Sequence, residues 1–162
     1  MNILGINCAY HESSAAIYVD GRLVAAVEEE RFNRRKHGKN ATVDSPGELP
    51  FASISFCLKQ ANIRMEDIAH IGFSFDPQER LKNIGVDPVA IAGDWGSLDG
   101  ERRFYENLLS IPEKLRTIGF RGEFHWLSHH LCHAASAALV SGFPECAVLV
   151  VDGIAEFSST SL

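Results

Sequence analysis

The chain predicts an α/β fold in which a mixed sheet is covered by helices. Three observations carry that expectation. Strand-type segments at 2–7, 15–20 and 22–29 crowd into the start of the chain, and Asp20-Gly21 joins the last two. From residue 51 onward, helix-type and strand-type segments alternate. Apolar residues make up 46% of the 162, enough for a real core and too many for a disordered chain. An antiparallel start followed by strands alternating with helices implies a sheet of mixed direction with helices packed on it.

Each element follows from local chemistry. Asn2-Ile-Leu-Gly-Ile-Asn7 reads as the first strand. Asp-Gly favours a two-residue hairpin turn because Gly tolerates positive φ, so 15–20 and 22–29 pair. Cys8 to Ser14 is the loop between the first two strands, and 40–49 is a second loop with Ser45-Pro46-Gly47. Leu49-Pro50 precedes a helix over 51–61, with Ile54, Leu58 and Ala61 on one face, and Pro suits a first-turn position. Residues 68–75 alternate as a fourth strand, in which His70 reads as structural. Residues 77–100 are rich in Gly, Asp and Pro and read as an irregular insertion with short helical pieces. A helix is expected over 101–117, bent or interrupted at Pro112 and closed by Gly119 and Gly122. A short strand over 124–127 leads into a helix at about 129–142, and Cys146–Val151 reads as a last, buried strand.

Composition removes several function classes. A net charge of −6 opposes general nucleic-acid affinity, which needs basic surface to displace counterions. No apolar run approaches the roughly 18 residues that span a membrane, and Met1-Asn2-Ile3-Leu4-Gly5 has no basic flank of the kind that opens an export signal. Cys8, Cys57, Cys132 and Cys146 are scattered without a CxxC pair, as expected of reduced thiols in a cytoplasmic protein.

The chemistry concentrates in Ser128-His129-His130-Leu131-Cys132-His133. On a helix, His129 and His133 are four residues apart and project from one face. Imidazole suits iron, zinc or nickel, and such a pair presents two adjacent ligands to one ion. His130 points about 100° away, toward a supporting or substrate contact. Asp152 ends the apolar run 148–151 and precedes Gly153, a place where an acid commonly faces a ligand or metal. A turn-forming Asp-Gly explains it equally well on local grounds. Loop 8–14 offers hydroxyls, a histidine and N–H groups able to cradle a phosphate, although a solvated hairpin loop is the commoner meaning of that composition. The segment Arg34-Arg-Lys36-His37-Gly-Lys39 is basic in an acidic chain and suits an anionic substrate; a solvated surface is the commoner meaning of a charge run.

Four segments together resemble the NodU/CmcH-type O-carbamoyltransferases: Gly5-Ile-Asn-Cys-Ala-Tyr-His11-Glu-Ser-Ser-Ala-Ala, Glu28-Glu-Glu-Arg31-Phe-Asn-Arg34-Arg-Lys36-His37, His129-His-Leu-Cys-His133-Ala-Ala-Ser-Ala, and Val151-Asp152-Gly-Ile-Ala-Glu156. The resemblance implies the N-terminal lobe of a ribonuclease H-like, actin-like ATPase (Kae1-like) fold, truncated at 162, with the second lobe and a YrdC-like domain absent. It implies a chemistry in which ATP activates carbamoyl phosphate to carbamoyl-adenylate, and the carbamoyl group then passes to a hydroxyl of a small-molecule or sugar acceptor, as in antibiotic or nodulation-factor biosynthesis. It implies a divalent metal of the iron type held by His129, His133 and Asp152, with a further acidic ligand from the second half. It places His11 in the loop facing the carbamoyl group, as the candidate catalytic base, and Lys36 and Arg34 in the basic segment near the substrate. One departure is Ala155, where the family has Gly in a Gly-x-Gly turn; Ala does not adopt positive φ cheaply.

The fragment by itself is therefore expected to be inactive. Two other classes stay open. One is a non-catalytic binding or assembly module that completes its cleft as a homodimer or with a complementing chain. The other is a Kae1-like tRNA-modification or sugar-kinase-like protein, against which the acidic charge and the histidine segment weigh. No nucleic-acid or membrane partner is expected.

Overall fold

A computed structural model describes every residue except 11, 41, 83, 84 and 154. The chain opens as the antiparallel meander β1 (Asn2–Asn7), β2 (Ser14–Val19) and β3 (Arg22–Glu28). The β2–β3 turn places Asp20 at φ 50° and Gly21 at φ 78°. Both central residues are left-handed, the turn whose twist matches that of the strands. The remaining elements are α1 (Glu30–Asn33), α2 (Phe51–Ala61), β4 (His70–Phe73), α3 (Pro77–Lys82), α4 (Leu98–Leu109), α5 (Ile111–Thr117), β5 (Glu123–Trp126), α6 (His129–Ala138), β6 (Val150–Val151) and β7 (Thr160–Ser161).

The main sheet has the order β3-β2-β1-β4-β5, with β4 parallel to β1 and β5 parallel to β4. A meander extended by parallel strands beside its first strand is the arrangement of the ribonuclease H-like, actin-type lobe. Strand alternation divides the side chains between two faces. Leu4, Ile6, Ala15, Ile17, Ile71 and Phe73 point to one face, and Ile54 and Cys57 of α2, Phe104 and Leu108 of α4, and Ile111 and Leu115 of α5 join them in the core. The other face carries Gly5, Ala16, Tyr18, Gly72 and Leu127, which with Cys132 and Ser136 of α6 line an open cavity of about 790 Å³.

One long-range contact and several local ones set the helix boundaries. Three donors at the start of α2, the N–H groups of Ala52 and Ser53 and the Ser53 hydroxyl, go to the Glu29 carboxylate at 3.1, 2.8 and 2.7 Å. A helix leaves its first N–H groups without internal partners and favours negative charge there. Asn62, at φ 53°, ends α2 in the left-handed region. The helix expected over 101–117 divides at Ser110, and Pro112 sits in the first turn of α5, where its missing N–H costs nothing. It also starts earlier, because the Ser97 hydroxyl accepts from the Gly100 N–H at 3.2 Å and caps α4.

The last strand is a correction. Residues 146–149 form no strand, and 150–151 pair with β7 in a separate two-stranded ribbon. Leu149 and Val151 are 65% and 72% exposed. An apolar run becomes a buried strand only where a sheet edge offers it hydrogen bonds, and among the described residues this run pairs with β7 alone. The helix α6 likewise ends at Ala138 rather than near 142.

Candidate functional site

The site is built where β1 and β4 end. The link from β5 delivers α6 with His129 as its first helical residue and His133 one turn later, their ring centroids 4.7 Å apart. The β6–β7 ribbon delivers Asp152. Its Oδ2 lies 2.9 Å from His129 Nε2 and 3.2 Å from His133 Nε2, and the two Nε2 atoms are 3.2 Å apart. These three residues were expected to meet, and they do.

Neighbouring groups orient each of them. His129 Nδ1 lies 2.8 Å from the Ser74 carbonyl oxygen. A carbonyl only accepts, so Nδ1 donates to it, and the ring is fixed with Nε2 toward the corner. The Gly153 N–H donates to Asp152 Oδ1 at 2.7 Å, leaving Oδ2 for the imidazoles. Burial disfavours the Asp152 charge, but the Gly153 N–H and then the two imidazoles outweigh it and hold the carboxyl below its ordinary value. Glu156, 3% exposed, accepts from the backbone N–H groups of both His129 and Asp76 at 2.8 Å. It pins the start of α6 to the chain leaving β4. Its place four residues after Asp152 was visible in the sequence; its task was not.

A hydrogen-bond path runs from this corner to loop 8–14. The Ser74 hydroxyl donates to Asn7 Oδ1 at 2.8 Å, Asn7 Nδ2 donates to the Glu12 carbonyl at 3.1 Å, and Glu12 Oε1 lies 2.5 Å from His37 Nδ1. Backbone bonds Ser13 N–H to His37 O (3.2 Å) and Glu29 N–H to Ser13 O (2.8 Å) clamp the loop to the basic segment. Gly38 permits this closeness: it sits at φ 80°, and a Cβ there would lie 3.1 Å from the Cβ atoms of both Ser13 and Glu29. His11 lies outside the described residues. Lys36 and Arg34 are exposed on the turn that His37 ties to this loop. Arg31 and Arg35 are engaged with glutamates instead.

His130 turns away from the corner. It is buried, and its Nδ1 lies 2.8 Å from the Ser161 hydroxyl of β7. Cys132 faces the sheet-side cavity, and burial, with Glu156 adding to it, pushes its thiol up to about 11, unlike a metal-binding thiolate. Two buried groups depart from the sequence reading: the sequence counts Lys39 in the basic segment open to an anionic substrate, and Glu101 gives no signal. Lys39 is 3% exposed and donates to the carbonyls of Cys8 and Ser45. Arg80 meets Glu101, which is 2% exposed, with Nε 2.8 Å from Oε2 and Nη2 on Oε1. This pair borders a cavity of about 410 Å³ beside Gly153 and Glu156.

The family model described as carbamoyltransferase N-terminus matches residues 2–162. An uncharacterized protein of Synechocystis sp. is 33% identical over 99% of this chain and 27% of its own length. The nodulation protein NolNO of Sinorhizobium fredii is 31% identical over 94% of this chain and 21% of its own. The chain thus spans about a quarter of the length of these curated relatives. Among solved structures, YeaZ from Pseudomonas aeruginosa gives a TM-score of 0.47 at 13% identity, over 88% of this chain and 52% of that one.

Proposed function

This chain belongs to the carbamoyltransferase N-terminal family, and on that premise we propose that it is the N-terminal lobe of an ATP-dependent O-carbamoyltransferase whose His129, His133 and Asp152 hold a divalent metal of the iron class. The observation that carries the reading is the convergence of two imidazole nitrogens and a carboxylate oxygen within 2.9–3.2 Å, with His129 Nε2 turned inward by the hydrogen bond of Nδ1 to Ser74. Two histidines and one carboxylate with open positions suit iron(II) or zinc. A ligand histidine whose other nitrogen donates to a carbonyl is the usual supporting arrangement of such sites. When bound, the metal supplies a Lewis acid for a carbonyl or phosphoryl oxygen.

The remaining roles belong to side chains of this chain. Lys36 and Arg34 offset the charge of carbamoyl phosphate or of the adenylate formed from it with ATP. His11, whose role rests on the family resemblance, removes the proton of the acceptor hydroxyl as the new carbon–oxygen bond forms and the bond from the carbamoyl carbon to the phosphate oxygen breaks, releasing AMP. The acceptor is a hydroxyl-bearing small molecule or sugar, and the reaction is cytoplasmic. No helix is long and apolar enough to cross a membrane, among the described residues.

Metal binding tests the corner. Equilibrium dialysis of the purified protein against iron(II) or zinc is expected to show one equivalent lost in His129→Ala, His133→Ala and Asp152→Ala. Equal metal content in the wild type and all three variants overturns the assignment. The 162-residue chain is expected to give no transfer from ATP and carbamoyl phosphate by itself; robust turnover by the pure protein refutes that part. The open sheet face, with Tyr18 41% and Leu127 38% exposed, favours completion by a second copy or another chain, which gel filtration reads.

A further inference from the structure

A second set of ligand-type side chains converges at the opposite end of the sheet. His70 opens β4 and Glu123 opens β5, and the parallel register sets them side by side. His125 follows two residues after Glu123, opposite Gly72. Alternation therefore projects His70, Glu123 and His125 from one face, away from Ile71 and Phe124, which belong to the core side. Gly72 has no side chain to stand between the two imidazoles. His70 Nδ1 and His125 Nε2 come within 3.1 Å, and Glu123 Oε2 lies 3.8 and 3.9 Å from them.

We propose that His70, His125 and Glu123 form a second metal site, separate from the His129 corner, for a divalent cation of the zinc class. Zinc–nitrogen bonds of about 2.0–2.1 Å put two imidazole nitrogens on a tetrahedral ion roughly 3.3 Å apart, and the spacing here is 3.1 Å. The carboxylate oxygen needs to close by only about half an ångström to reach the same geometry. Glu123 is free to do so, since its side chain is 75% exposed, against 32% for His70 and 44% for His125. The two imidazoles stand on hydrogen-bonded strands, so the ordering that binding requires is largely made beforehand. The four residue steps from His70 to Ser74 span roughly 13 Å of strand, too far for the two sets to share an ion. The reading does not rest on carbamoyl transfer.

The test uses the whole chain, stripped with chelator and titrated with zinc alone, with bound metal counted after desalting. Wild type is expected to hold two equivalents, and both the His129→Ala/His133→Ala and the His70→Ala/His125→Ala variants one each. Cobalt(II) added to the His129→Ala/His133→Ala variant should give the strong visible band of a tetrahedral site, and Glu123→Gln should weaken its binding at least about tenfold. No metal in the His129→Ala/His133→Ala variant overturns the proposal, as does wild-type stoichiometry in His70→Ala/His125→Ala. Circular dichroism shows whether each variant is folded, and single substitutions His70→Gln and His125→Gln repeat the count if a double variant is not. Loss of the first site with retention of the second refutes only the function proposed above.

Discussion

Replacing Glu156 by alanine removes the acceptor that joins α6 to the end of β4. One carboxylate oxygen takes two backbone N–H groups at 2.8 Å each, and the side chain is 3% exposed. Hydrogen bonds to a charged acceptor contribute about 1.5–3 kcal/mol each, and the negative charge at a helix start adds about 0.3–1 kcal/mol. Burying the carboxylate costs part of this, and water entering the vacated space recovers more. A net loss of about 2–4 kcal/mol remains for Glu156→Ala. Glu156→Gln keeps an oxygen acceptor but not the charge and should lose about half as much. Urea unfolding followed by circular dichroism measures both variants. Because His129 is the residue held, zinc affinity at its corner should also fall about 10–100-fold in Glu156→Ala, as read by calorimetry in a His70→Ala/His125→Ala background. An unchanged urea midpoint, together with zinc affinity within about twofold of the parent, would show that Glu156 neither anchors α6 nor positions His129.

Arg80→Ala leaves Glu101 buried without its cation and should cost about 3–5 kcal/mol in urea unfolding, with Arg80→Met/Glu101→Gln recovering most of it. Gly38→Ala puts a Cβ at φ 80° within 3.1 Å of Ser13 and Glu29 and should lose about 1–3 kcal/mol, visible as a lowered thermal midpoint. Burial holds the Lys39 ammonium below its ordinary 10.5, so the unfolded chain binds this proton more tightly than the folded one. The resulting penalty is complete below the folded value and is relieved as pH rises from there toward 10.5. Wild type should therefore gain stability relative to Lys39→Met across that window, and a flat difference between their urea midpoints would contradict the burial.

Local chemistry reached far along this chain. The C-terminal end of α2, the Asp20-Gly21 turn and the helix break just before Pro112 each depend on a few adjacent residues, and each falls close to where the sequence puts it. The pairing of His129 with His133 is of the same kind, since helical pitch alone brings residues four apart to one face. The expectation for 146–151 failed because apolar character says that a segment is able to pair, while the sheet edge that would accept it belongs to the fold. Asn7 and Ser74 gave no sign of their place beside the site, because residues 67 positions apart meet only through the β1–β4 register.

The sequence by itself thus determined most of the elements, the family resemblance and the histidine half of the His129–His133–Asp152 corner, because periodicity and turn chemistry act over one or two turns of chain. Tertiary structure alone decided what closes and orients that corner. Asp152 arrives on a ribbon outside the main sheet, Glu156 reaches two N–H donors on separate elements, and His70 meets His125 across 55 positions. Burial decided Lys39 and Glu101 in the same way. A charged side chain in a sequence looks solvated until packing removes its water, and only the folded chain supplies the partners that make the loss tolerable.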